Sequence, residues 1–301
     1  MEGKYLVYEN DLKFKNSLEF NLNVDKINND ENNVKSLLNT NLETLDYRIN
    51  ECIKHKYDYL DLSYLNLDKL PILDIKLVEQ IKHLFINNNK LNGEINLTMF
   101  KLITTLDIAN NNITKIILPN SLEELKCSDN NLTELIGAPN LQRLNCVNNK
   151  LITLDKYIKL TILESSYNKL SNINKLINLQ KLIINDNPLN YLCLSNNLIY
   201  LDMSNTLITD TIVLNNMTNL KYLIANNTKI KNIPILNNLI HLEIINTPIE
   251  KLYFYKNIDI ILFSANLTKC VSNKYKSHNY IIKLRNNSII CISKNEIQIM
   301  N

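Results

Sequence analysis

The chain has no tryptophan, only three glycines and only six prolines in 301 residues. Gly3, Gly93 and Gly137 stand alone, so no glycine-rich loop is present to cradle a phosphate. No apolar run approaches the ~18 residues that a helix needs to cross a bilayer, which argues against a membrane role. The first residues, MEGKYLVYENDLKFK, lack the apolar stretch of a secretory signal, and a cytoplasmic protein is the expectation. The net charge of +3 is too small to point to nucleic acid.

Chemistry-bearing residues are equally sparse. The four histidines, at 55, 83, 241 and 278, do not converge on one place, so neither a zinc site nor a histidine-activated nucleophile has its residues. Six cysteines occur at separations of 75, 19, 47, 77 and 21 residues, none of them a CxxC pair. This usage fits reduced thiols. The expectation is no catalytic residue, no metal and no cofactor.

What is abundant is asparagine, with 54 copies, alongside isoleucine, lysine and tyrosine. AT-rich codons would produce this bias, which we read as genome composition first and structural demand second. The asparagines nevertheless fall in a pattern. Aligned on LxxLxLxxNxL, the chain repeats from Tyr57, Ile81, Ile103, Leu122, Leu141, Leu160, Leu179, Leu198, Leu220, Leu239 and Ile258. These starts define coils 1 to 11, at steps of 24, 22, five of 19, 22, 19 and 19 residues. In nearly every coil, positions 1, 4, 6, 11 and usually 14 are apolar. Position 9 is Asn89, Asn111, Asn130, Asn149, Asn168, Asn187 or Asn266, and threonine at Thr206, Thr228 and Thr247.

Over residues 57–271 this pattern resembles the leucine-rich repeat family, a non-enzymatic binding fold. The resemblance implies a right-handed solenoid, an α/β repeat with short parallel β-strands on its concave face. Nineteen residues lie just below the usual repeat length. They leave too few residues for a multi-turn helix on the way back, so the convex arms should be extended or 3₁₀. Stacked leucines fill the interior, and the position 9 amide should turn inward to satisfy backbone groups between coils. The threonine coils, with a single hydroxyl each, should be looser.

Open solenoid ends need covers. Residues 1–56 are assigned as an N-terminal segment with a capping helix, begun by a capping box from Thr40 to Glu43. That helix carries Leu42, Leu45, Ile49, Cys52 and Ile53 on one face. Residues 57–271 form the solenoid, and 272–301, reading as strands around an Asn-Asn turn, form a C-terminal β cap. Cys127 and Cys146 both fall at position 6, the inward strand position, where cysteine acts as a small apolar filler.

The exposed strand positions 3, 5, 7 and 8 hold eight acids, Asp61, Asp107, Glu124, Asp129, Glu164, Asp186, Asp202 and Glu243, against Lys126, Arg143 and Lys181. A negative concave face on a slightly positive chain would repel phosphate and attract a basic protein segment. Apolar residues crowd the C-terminal half of that face. Tyr167, Ile183, Tyr200, Asp202, Tyr222, Ile224, His241, Glu243 and Ile245 are the candidate partner-binding residues, an aromatic and aliphatic patch with an acidic rim. The resulting expectation is a monomeric protein-binding module. A structural or self-associating repeat protein is the alternative, and an enzyme using Glu164 with Asp186 or Asp202 is the least favoured reading. The Asn/Ile/Lys bias on LxCxxNxL coils also resembles leucine-rich repeat families of large DNA viruses and AT-rich bacteria. That resemblance implies a viral or other pathogen protein acting on its host, in the host cytoplasm.

Overall fold

The structure, a computed structural model, describes residues 44–249 apart from 175, 194 and 195, and beyond them the backbone of the strands at Lys251–Tyr253, Ile260–Phe263, Lys269–Val271, Tyr280–Leu284, Ile289–Ser293 and Glu296–Met300. Positions 3 to 5 of each coil form the strand, beginning with Tyr59–Asp61, His83–Phe85, Thr105–Asp107, Glu124–Lys126 and Arg143–Asn145. Successive strands pair in parallel without slippage, so that Leu60 lies opposite Leu84, Leu84 opposite Leu106, and so on to Leu242 opposite Ile261. The position 4 side chains from Leu60 to Leu242 are at most 1% exposed. They make a continuous apolar column, because each strand leucine finds its neighbour one strand spacing (~4.8 Å) away. After coil 11, Tyr280–Leu284 continues the sheet in parallel, and two antiparallel strands complete fourteen in all.

Position 8 is left-handed in every described coil, with φ between 54° and 60° from Tyr64 to Asn246. This bends the chain inward while its N–H still reaches the next coil, as from Asn88 to the Ala109 carbonyl at 2.9 Å. Asparagine and aspartate tolerate such a backbone and fill most of these positions. Position 9 then points into the interior. The Asn149 amide donates to the Cys127 carbonyl of the preceding coil at 2.9 Å and to the Cys146 carbonyl of its own at 3.1 Å, while its oxygen accepts from the Leu132 N–H at 2.9 Å. Asn89, Asn111, Asn130, Asn168 and Asn187 repeat this bridge. Thr206, Thr228 and Thr247 each donate only to the carbonyl three residues back in their own coil, at 2.7 to 2.8 Å.

A second amide column sits just before the strands. Asn140, Asn178, Asn197, Asn219 and Asn238 each donate to a backbone carbonyl of the preceding coil, at 2.7 to 3.1 Å. It runs on through the threonine coils, where the inner bridge is missing. Three columns of asparagine therefore have structural work.

The return arms are extended, as the short repeat requires, and some pair into small parallel sheets of their own: Asn92–Asn96 with Asn112–Leu118 and Glu134–Gly137, and Asn172–Ile173 with Tyr191–Leu192. Gly137 is required there, because at φ +86° a Cβ would lie 2.2 Å from the Leu118 carbonyl oxygen. Longer coils spend their extra residues on the arm: coil 1 on a helical turn, Ile75–Val78, and coil 8 on a 3₁₀ segment, Ile212–Asn216. The N-terminal edge carries the expected helix, Leu45–His55, whose N-cap is Thr44, accepting from the Tyr47 N–H. The box from Thr40 to Glu43 and Leu42 lie outside the described residues, as do Asn266 and the Asn-Asn turn. Leu45 and Ile49 pack on the core and Cys52 is buried, but Ile53, expected on the same face, is 47% exposed. Arg48 donates to the Asp61 and Ser63 carbonyls of coil 1 at 3.3 and 3.0 Å, closing the strand edge.

Cys127 and Cys146 are fully buried free thiols, and burial pushes both thiols above their ordinary range. With Ser165 they form a run of small residues at position 6, beside which the large Tyr157 ring is buried at 1% exposure. They fill the narrow core as expected, and they also leave room for that ring.

The two ladders make a graded prediction. Asn149→Ala leaves buried backbone groups on two coils unpaired and should cost about 2–3 kcal/mol in urea denaturation. Asn149→Thr should cost clearly less, because a hydroxyl can keep the bond within its own coil.

Candidate functional site

The strand register brings most of the predicted patch together. Tyr200, Tyr222 and His241 lie side by side at position 3, and Ile183, Asp202, Ile224 and Glu243 side by side at position 5. The rings of Tyr200 and Tyr222 stack with centroids 5.8 Å apart, and Tyr222 and His241 follow at 6.2 Å. His241 Nε2 lies 2.7 Å from Glu243 Oε1, and the Asn226 amide donates to the other Glu243 oxygen at 3.0 Å. Ile245, at position 7, anchors its N–H on the Asn226 oxygen at 2.7 Å. Tyr222, Ile224, His241, Glu243 and Ile245 are all half-buried, so each offers part of its surface to solvent.

Two residues depart from expectation. Tyr200 is only 7% exposed, because Lys181 lies over its ring, with Nζ 5.8 Å from the centroid, and Tyr222 covers its other side. Burial and the nearby Asp202, Glu243 and Glu164 carboxylates push its hydroxyl well above the ordinary tyrosine range. Tyr200 thus supports Tyr222 more than it presents a surface. Lys181, counted above among the exposed bases, is 3% exposed and pairs with Glu164 Oε1 at 2.6 Å. Ile162, in the same row, is also buried.

Tyr167 stands apart from the row, on the rim at position 8, 57% exposed, its hydroxyl bonded to Asp186. The nearby negative charge and that bond raise its ionisation above the ordinary value.

The acids of the face are built into the sheet. Asp61, Asp107 and Asp202 each accept from the N–H two residues on, at 2.9 to 3.1 Å, which turns the chain out of the strand. Glu124 pairs with Arg143 at 2.9 Å. Glu164 is held by Lys181 and by the Asn145 amide at 3.1 Å, and Asp186 accepts from Asn185 at 2.7 Å. These bonds occupy the carboxylates that the enzyme reading would use, Glu164, Asp186 and Asp202. They leave the excess of negative charge in place. No group of three or more His, Cys, Asp or Glu side chains among the described residues is arranged to hold a metal ion.

Burial raises the Asp202 carboxyl above its ordinary value, against the lowering effect of the Ser204 bonds, with Glu243 and Asp186 raising it further. A carboxyl raised on folding binds protons more readily folded than unfolded, so its contribution to stability falls as pH rises through the folded value. Asp202→Asn keeps the acceptor for Ser204 and removes the desolvated charge. It should stabilise the protein at pH 7 and lose that advantage as the pH is lowered towards 4, read as unfolding midpoints of both proteins across pH.

No protein-family model and no curated protein sequence matches the chain. Solved structures do. A leucine-rich repeat protein of Leptospira interrogans superposes with a TM-score of 0.54 at 21% identity, over 63% of this chain and 55% of that one. A chain of the LRIM1/APL1C complex gives 0.57 at 17% identity, over 74% and 48%. YopM, a leucine-rich effector protein from Yersinia pestis, gives 0.59 at 21% identity, over 79% and 68%. The chain therefore spans about half the length of the first two. In-phase leucines, parallel strands in register, inward asparagines and these superpositions agree that the protein is built on the leucine-rich-repeat fold.

Proposed function

We propose that the protein is a non-enzymatic binding module that holds a protein partner on its strand face, over coils 8 to 10. One observation carries this reading. Tyr222, His241, Ile224 and Ile245 form a half-exposed aromatic and aliphatic surface on consecutive strands, flanked by Asp202 and Glu243. Large rings with an apolar body and a polar tip, held rigid by their neighbours, lose little entropy when a partner covers them. The acid excess favours a basic segment and speeds its encounter.

The YopM effector protein of Yersinia pestis shares the fold, and we extend to this chain a role in contact between a pathogen and its host. Cys52, Cys127, Cys146 and Cys193 are free thiols, in keeping with action in a cytoplasm. The protein acts as a monomer in this reading.

The test is affinity capture with the purified chain, identification of the retained proteins by mass spectrometry, and titration of a purified partner. Binding should weaken at least tenfold in Tyr222→Ala and Ile224→Ala combined, and severalfold between 50 and 300 mM salt. Undiminished affinity in the double variant counts against this surface. Light scattering over a dilution series should show one concentration-independent mass; a mass that grows with concentration would favour self-association.

A further inference from the structure

The helix Leu45–His55 closes only the strand half of the solenoid's N-terminal end. It runs back along the first strand: the Cys52 thiol donates to the Tyr59 carbonyl at 3.1 Å, and Arg48 donates to the Asp61 and Ser63 carbonyls. Beneath it Leu60 and Leu62 are 1% exposed. Among the described residues, the return arm of coil 1 has no such cover. Leu65, Leu67, Leu70 and Leu73 pack on the core but stay half-buried, whereas Leu91, Leu97 and Phe100 on the arm of coil 2 are at most 3% exposed. Position 9 sharpens the contrast. In coils 2 to 7 it is the asparagine that bridges to the preceding coil, and in coil 1 it is Leu65, whose side chain can bond no backbone group. The neighbour that suits this face is therefore an apolar surface rather than the carbonyls of another coil.

We propose that the other half of the cap is a segment of this same chain, residues 18–24, laid over the return arm of coil 1. The chain before Thr44 lies outside the described residues, and two observations commit the face to it. The first is where the chain enters. Thr44 caps the helix four residues before Arg48, about 6 Å further along the axis. Since Arg48 already sits over Ser63, the chain arrives beside Leu65 and Leu67, at the start of the uncovered arm. The second is what the chain carries. The stretch LEFNLNV sets Leu18, Phe20, Leu22 and Val24 at every second residue, with Glu19, Asn21 and Asn23 between them, the pattern of a segment with one apolar side to bury. Residues 25–43 join it to Thr44, and nineteen residues span up to ~60 Å, so reach is no obstacle. Tethered there, the segment meets the face at roughly millimolar effective concentration, an advantage that a second copy of the chain lacks.

The experiment uses the full chain and two double variants that add the same charge. One carries Leu18→Asp and Leu22→Asp on the apolar side, the other Asn21→Asp and Asn23→Asp on the polar side. Amide hydrogen exchange over residues 65–73, read by mass spectrometry, should speed up at least tenfold in the first and stay unchanged in the second. The first should also lose about 4 °C or more of thermal midpoint. Unchanged exchange in the leucine variant, or equal acceleration in both, overturns the inference. Exchange in the parent chain that accelerates on dilution also overturns it, because a second copy would then be covering the face. Should the leucine variant fail to fold, a short bis-maleimide applied to the chain carrying Phe20→Cys and Leu67→Cys decides the matter. Peptides linked through these two positions within one chain support the inference, and their absence overturns it.

Discussion

Each coil of this protein must turn inward between its strand and its return arm, and there the backbone has carbonyls and N–H groups with no strand to receive them. The inner asparagine column meets that constraint. One primary amide, offering two donors and an acceptor, closes groups on two coils at once, as Asn149 does between the coils of Cys127 and Cys146. The left-handed residue before it aims the amide, and the strand register places the next one directly above. The leucine column supplies the apolar burial that drives folding, but burial alone is indifferent to sliding, whereas a directional bond to one carbonyl fixes each coil against its neighbour.

The column is not uniform along the rod. In coils 8 to 10 threonine replaces asparagine, and the bond from its hydroxyl stays within the coil. The outer asparagines at 197, 219 and 238 still tie those coils together at the surface. The aromatic row of Tyr200, Tyr222 and His241 lies in this same half. Its side chains are held from the side by stacking and by the Glu243 and Asn226 bonds, so local order at the surface stands in for the missing bridge beneath it.

The repeat, its phase and the inward asparagines were legible in the sequence, because eleven copies at nearly constant spacing leave little freedom in register. The N-terminal helix was legible too, from the spacing of Leu45, Ile49 and Cys52, although Ile53 lies one step off the buried stripe. Burial at the strand face was harder to read. Position 3 alternates outward in every coil, so nothing in the pattern marked Lys181 as covered. Its burial follows from an acid one coil earlier and a ring one coil later, Glu164 and Tyr200. The outer amide column was missed because its asparagines precede the consensus rather than fall within it. A search for asparagine one residue before each repeat start would have found Asn140, Asn178, Asn197, Asn219 and Asn238.

Coils 1, 2 and 8 are longer than the rest, yet the pairing of their strands with their neighbours shows no offset, and the surplus of coils 1 and 8 goes into the helical turns on their arms. The strand side therefore behaves as a ruler of fixed pitch, while the opposite side can gain or lose residues without disturbing the marks. Variation in length can accumulate on the back of such a molecule while whatever reads its front keeps meeting side chains at an unchanged interval.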